Sequence, residues 1–226
     1  MKRYFDEVTE QRIERTKAAL EANRMMVYRA RTADEAREIV KGLLKDGDSI
    51  GVGGSATLDE CDILTLIRSP EYRFIDRYEA GLSGAQVHDR HVQALGADVY
   101  ITGSNAVTED GLLYNVDGRG NRIAAIAFGP ESVIVIVGAN KIVRNLEEAV
   151  IRVKSVAAPA NCKRLSCDTH CAKKGRCCTL TDPWKDSEIG AGCHSEGRIC
   201  CDYLISGYQR IPDRIKVIIV DQELGF

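Results

Sequence analysis

Ser132-Val133-Ile134-Val135-Ile136-Val137 is the stretch that decides the fold. Its β-branched side chains favour extended backbone, and every position is small or apolar, so neither face suits water. A strand of that kind belongs in the middle of a parallel sheet with helices on both faces. The flanks agree. Upstream, Arg122–Phe128 reads as an apolar helical segment stopped by Gly129-Pro130. Downstream, Leu146–Val156 reads as a helix.

Working outward, the same alternation recurs. Helices are predicted over Phe5–Ala22, from a Thr32 cap with Glu35 three residues on, over Leu58–Ile67 and over Ser83–Leu95. Strands are predicted at Met25–Arg29, Ser49–Val52, Arg73–Ile75, Asp98–Ile101, Gly111–Asn115 and Ile215–Val220. The expected fold class is α/β: a mostly parallel open sheet with helices on both faces, in one domain over residues 1–226. Residues 160–203 form a cysteine-rich insertion, poor in large aliphatics, between the last helix and the last strand.

Composition narrows the function classes. Thirty-one basic residues against 33 acidic ones give a net charge of −2, so nucleic acid and anionic membranes are not expected partners. The charged start, MKRYFDEVTEQRIERTKAAL, has no apolar core of a signal peptide, and a cytoplasmic location is expected. Of nine cysteines, eight lie between Cys162 and Cys201. In a reducing compartment that density points to metal ligation or redox work, with disulfides as the alternative. Cys61 reads as core. Trp184 is expected to pack the cysteine-rich segment. His88 and His91, three apart on one helix, read as a solvent-facing pair.

Two glycine- and asparagine-rich segments could carry chemistry. Ile50-Gly51-Val52-Gly53-Gly54-Ser55-Ala56-Thr57 leaves a strand and enters a helix, a place where backbone N–H groups and a dipole favour an anion. It has neither the Walker nor the dinucleotide spacing. Thr102-Gly103-Ser104-Asn105 through Gly111, then Asn115 through Arg122, follows the next strand, and ligands of open α/β sheets bind beyond the carboxyl ends of strands. Gly53, Gly54, Ser55, Thr57, Gly103, Ser104, Asn105, Asn115, Asn121 and Arg122 are the expected ligand-binding residues. Glu109, Asp110 and Asp117 are the candidate acids and bases. The two segments are expected to meet in one pocket for a small anionic metabolite.

These segments resemble the lactate-utilisation (LUD) domain family. The matching stretches are Gly51–Leu58, Thr102–Gly111, Asn115–Ala125, Phe128–Pro130 and Val137–Val143. The tail is similar to a stand-alone branch of that family through Cys171-Ala172-Lys173-Lys174-Gly175-Arg176-Cys177, Cys193, Arg198-Ile199-Cys200 and Asp221–Phe226. The resemblance implies the fold shared by sugar-phosphate isomerases, CoA transferases and the folate cyclo-ligase. It also implies a link to organic-acid oxidation beside an iron–sulfur or oxidoreductase partner subunit. Cys171, Cys177, Cys193 and Cys200 are the preferred metal ligands, for an iron–sulfur cluster or zinc. Where the related isomerases carry a catalytic Asp, this chain has Asn105, whose amide cannot donate and recover a proton. A homo-oligomer is a further expectation, as are a redox subunit carrying a cluster and a structural-zinc protein with a sugar-phosphate or CoA-related activity.

Overall fold

The structure, a computed structural model, describes residues 2–180 and 188–226. The chain runs α1 (Lys2–Ala22), β1 (Met26–Ala30), α2 (Ala33–Leu43), β2 (Ser49–Val52), α3 (Ala56–Glu60), α4 (Ile63–Ile67), β3 (Arg73–Phe74), α5 (Gly84–Ala94), β4 (Val99–Gly103). It continues through β5 (Ala106–Thr108), β6 (Leu113–Asp117), α6 (Asn121–Ala127), β7 (Ser132–Gly138), β8 (Ile142–Val143), α7 (Leu146–Arg152), α8 (Ala158–Arg164), α9 (His170–Lys174), β9 (Asp202–Ser206) and β10 (Ile215–Val220). Trp184 lies outside the described residues.

Six strands form a parallel sheet in the order β1-β10-β7-β4-β2-β3. The stretch that decided the fold is its third strand, and Val133 to Val137 are fully buried. Successive side chains face opposite sides. Val133, Val135 and Val137 pack with Ile13 and Leu20 of α1, Ala94 of α5 and Ile126 of α6. Ile134 and Ile136 pack with Val40 of α2, Leu58 of α3 and Ile63 and Ile67 of α4. Cys61 is buried in this second layer, as expected for core.

Local capping fixes the helices. Thr32 accepts from the Glu35 N–H, and Ser83 and Gln86 form a capping box at α5. One expected helix is broken: Leu58–Ile67 becomes α3 and α4, with Asp62 between them at φ 50°.

The sequence also did not announce a second sheet, of order β8-β5-β6-β9, with β5 antiparallel to β6 and β6 antiparallel to β9. Its strands have only two to five residues, too brief for a clear alternation. Val107 and Leu113 face the main body, while Ala106, Tyr114 and Val116 face Ala149, Val150 and Val153. The predicted helix after β7 is longer than expected. From α7 it passes a π-helical turn at Val153–Ala157 and runs on as α8 into the cysteine-rich segment.

The sheet order creates a switch point. From β2 the chain goes to β3, at one edge; from β4, its neighbour, it goes to β7, on the other side. The carboxyl ends of β2 and β4 therefore open a crevice. Gly129 closes α6 before β7 with φ +113°, and an added Cβ would stand 2.2 Å from the Leu95 carbonyl oxygen. Gly129→Ala is expected to lower stability by roughly 2 kcal/mol in denaturant unfolding, without changing the fold.

Candidate functional site

The crevice is a cleft of about 410 Å³. Gly54 and Ser55 after β2, and Gly103, Ser104 and Asn105 after β4, line it together with Asp117, Asn121 and Arg122. Gly53, Thr57 and Asn115 are buried behind these residues rather than lining the cleft. Glu109 and Asp110 do not line it either. The β5–β6 hairpin carries them away, and Glu109 pairs with Arg12 and Arg15 of α1 at 2.6 and 2.9 Å. Burial opposes its charge, but those two guanidiniums hold its carboxyl below the usual range.

Arg122 is the hub of the wall. Its Nε donates to Asp117 at 2.9 Å, Nη1 to Asn115 Oδ1 at 2.6 Å and the Gly103 carbonyl at 3.1 Å, and Nη2 to Asn105 Oδ1 at 2.7 Å and the Val116 carbonyl at 3.0 Å. All five guanidinium N–H groups are thus used, and the side chain is buried. The sequence suggested an anion clamp; the geometry makes Arg122 a tie between β4, β6 and α6. Asp117 is consumed in the same way. Its Oδ2 also accepts the Arg122 and Ile123 backbone N–H groups, capping α6. Gly53 leaves the space this needs, since a Cβ there would stand 2.5 Å from Thr102 Oγ1 and 2.9 Å from Arg122 Cδ. Asn105, through its side chain, also accepts the Val116 N–H at 2.9 Å, and its carbonyl accepts Arg152 Nη1 at 2.6 Å.

The glycine loop holds an anion less directly than its sequence suggests. The helix it enters, α3, has five residues, too short for a useful dipole. The positive charge of the cleft comes from side chains. Arg77, Arg119, Arg164 and Lys141 line it, and among the described residues none has a carboxylate partner. Arg77 contacts His91 Nε2 at 2.9 Å and the Tyr78 hydroxyl at 2.6 Å, while Arg164 donates to Asn161 Oδ1. Burial, then Arg77 and Arg119, hold His91 below its ordinary pKa. His91 is therefore a cleft residue, whereas the helix pattern suggested only a solvent-facing pair.

Lys141 is the residue that sequence reasoning missed as a site residue. It sits just past β7, with 3% of its surface exposed, and its Nζ donates to Thr57 Oγ1 at 2.8 Å. Burial, then the charges of Arg152 and Arg122, pull its pKa down to about 7. Its position at the carboxyl end of a central strand is the signal that could have found it.

A second cavity, enclosed and about 20 Å³, lies in the cysteine-rich segment. Cys171, Cys177, Cys193 and Cys200 all line it, with Cys178, His170, Lys154 and apolar Tyr114, Val153 and Ala158 among the neighbours. Burial raises the Cys200 thiol. Burial also opposes ionisation of Cys193, but hydrogen bonds from Ser195 and the charge of Arg198 prevail and hold it below the ordinary value. Cys162 and Cys171 sulfurs are 3.6 Å apart, beyond the roughly 2.0 Å of a disulfide, and all nine cysteines are free thiols. Among the described residues, no three His, Cys, Asp or Glu side chains stand at the spacing of one ion's ligands.

With this geometry in view, the comparisons can be placed. The LUD domain pattern matches residues 13–220. The chain belongs to the LUD domain family. Among solved structures, this LUD domain is similar to a DUF162 family protein from Deinococcus radiodurans, whose crystal structure was determined at 1.70 Å resolution. Identity is 18%, the match covers 94% of this chain and 98% of that one, and the TM-score is 0.48. No curated protein matches this chain. Among the described residues, no helix of the LUD domain is long and apolar enough to cross a membrane.

Removing one partner of a buried ion pair strands the other. Arg122→Ala is expected to lower the unfolding free energy by about 3–5 kcal/mol. Arg119→Ala, an exposed cleft residue, should cost about 0.5 kcal/mol or less in the same denaturant titration.

Proposed function

We propose that this LUD domain binds a small anionic metabolite, a carboxylate or phosphate of the organic-acid class to which lactate belongs, in the cleft at the ends of β2 and β4. One observation carries the reading: among the described residues, four cations without a side-chain carboxylate partner line a cleft whose one acidic side chain, Asp117, is spent on Arg122. Such a concave surface with an excess of positive side chains concentrates anions and attracts them from solution. Arg77 and Arg164 supply planar donors suited to carboxylate or phosphate oxygens. Gly54 keeps Arg77 in place, because a Cβ there would stand 2.7 Å from Arg77 Nη2. Of the proton carriers expected from sequence, only Asp117 lines the cleft. His91 and Lys141 are the groups there with shifted pKa values and are better placed to exchange protons with a ligand.

The cysteine cavity supports a second part of the reading, a metal group bound by Cys171, Cys177, Cys193 and Cys200. Thiolates suit zinc and iron–sulfur clusters alike. A tetrahedral zinc with Zn–S of about 2.3 Å needs sulfurs about 3.8 Å apart. Four thiols around one cavity supply a donor set for either group. A cluster there would supply one-electron transfer, and an oxidoreductase partner subunit would be its redox counterpart. Lys154 and Arg198 lie beside these thiols and offset part of their negative charge.

Calorimetric titration with lactate, pyruvate and inorganic phosphate tests the cleft. Saturable binding is expected, weakened roughly tenfold by Arg164→Ala, by Arg77→Ala and by Gly54→Val, and by added salt. Binding unchanged in all three variants would remove the cleft reading.

Protein purified without oxygen tests the cavity. Iron and acid-labile sulfide, with visible absorbance lost in Cys193→Ser, are expected. Stoichiometric zinc without iron would favour the structural-zinc alternative, and metal-free, colourless protein would end both.

A further inference from the structure

Lys141 differs from every other cation of the cleft. Arg77, Arg119 and Arg164 are partly open to solvent and Arg122 has every guanidinium N–H engaged, whereas Lys141 is buried against the end of β7 with a single hydrogen bond to a side chain. Its Nζ donates to a neutral hydroxyl, that of Thr57. That hydroxyl has a single proton, which points to the Leu224 carbonyl at 3.4 Å. Thr57 therefore accepts from Nζ and leaves the lone pair of an uncharged amine unmasked. The charged groups that act on Nζ are Arg152 and Arg122, which disfavour its protonation as burial does, and Glu60 and Cys61, which favour it less strongly; burial is the largest influence. Gly225 packs close to the amine: a Cβ there would stand 3.1 Å from Nζ and 2.6 Å from Thr57 Oγ1. A buried lysine whose charge is destabilised, opening onto an anion-binding cleft, has the chemistry of a nucleophile toward carbonyl carbon.

We propose that Lys141 forms a Schiff base with an anionic carbonyl compound, a 2-oxo acid or a phosphorylated aldose or ketose, whose anionic group is held by the cleft arginines. This rests on the anion-binding reading above and names the substrate class within it. The uncharged Nζ adds to the carbonyl carbon, the C–O π pair moves onto oxygen, and one proton passes from the nitrogen to that oxygen. The resulting carbinolamine loses its hydroxyl as water, with one proton from the solvent of the open cleft, and leaves a protonated C=N bond to Nζ. No oxidant or reductant is consumed. The iminium withdraws electrons from the adjacent carbon, which is what proton abstraction or carbon–carbon cleavage next to a carbonyl requires.

The test is borohydride trapping of the full-length protein with pyruvate, 2-oxoglutarate and a triose phosphate in turn, followed by mass mapping of the modified peptide. One of the three should leave a reduced adduct on Lys141. No adduct should form when borohydride is omitted, and Lys141→Met should lose it. The trapping rate should rise roughly tenfold between pH 6 and pH 8, as the amine loses its proton near pH 7.

Calorimetry on the same samples separates the two levels. Saturable anion binding without any adduct on Lys141 would overturn the Schiff base and leave the cleft reading intact, and absence of both would overturn the two together. An adduct spread evenly over Lys154 and surface lysines would also overturn the assignment.

Discussion

The buried guanidinium of Arg122 is the constraint on which the cleft depends. The glycine-rich turn after β4, the end of β6 and the first turn of α6 are three irregular segments, each with backbone groups that water cannot reach. One planar cation with five donors satisfies acceptors from the first two and pairs with the carboxylate that caps the third. Asp117 makes the burial of that charge tolerable, and Gly53 leaves the room for its stem. The polar composition that marks this region in the sequence is thus largely spent on holding the region together.

What remains for a ligand follows from that expenditure. With Asp117 committed, the cleft keeps its cations and no free carboxylate among its described side chains, so those side chains leave an excess of positive charge. The same logic separates the arginines from Lys141. An arginine keeps its charge at any accessible pH, whereas burial beside Arg152 and Arg122 makes a lysine surrender its proton near neutrality. The cleft thus combines fixed positive charge with one basic amine.

The cysteine cavity is a neighbour of the cleft. Tyr114 and Val116, two apart on β6, line the cysteine cavity and the cleft respectively, and Ile199 and Cys200 divide in the same way. Helix α8 does so too, through Ala158 on one side and Asn161 and Arg164 on the other. The π-helical turn stands just before α8.

Much of the scaffold was legible in the residues. The all-apolar Ser132–Val137 run required burial on both faces, and hydrophobic periodicity with Thr32 and Ser83 caps marked α2 and α5, because these features act over a few residues of chain. The convergence of Gly54 with Asn105 could be anticipated from their places after neighbouring strands, as could four cysteines from their shared pattern. Other features depended on tertiary structure. Short β5 and β9 exist because β6 offers them an edge, and β8 because β5 does, not because of their own pattern. Arg122, Asp117 and Lys141 are ordinary polar residues in sequence; whether each is spent, paired or left reactive was decided by which acceptors and charges the fold brought around it, since desolvation and Coulomb energy depend on distance in space and not on separation along the chain.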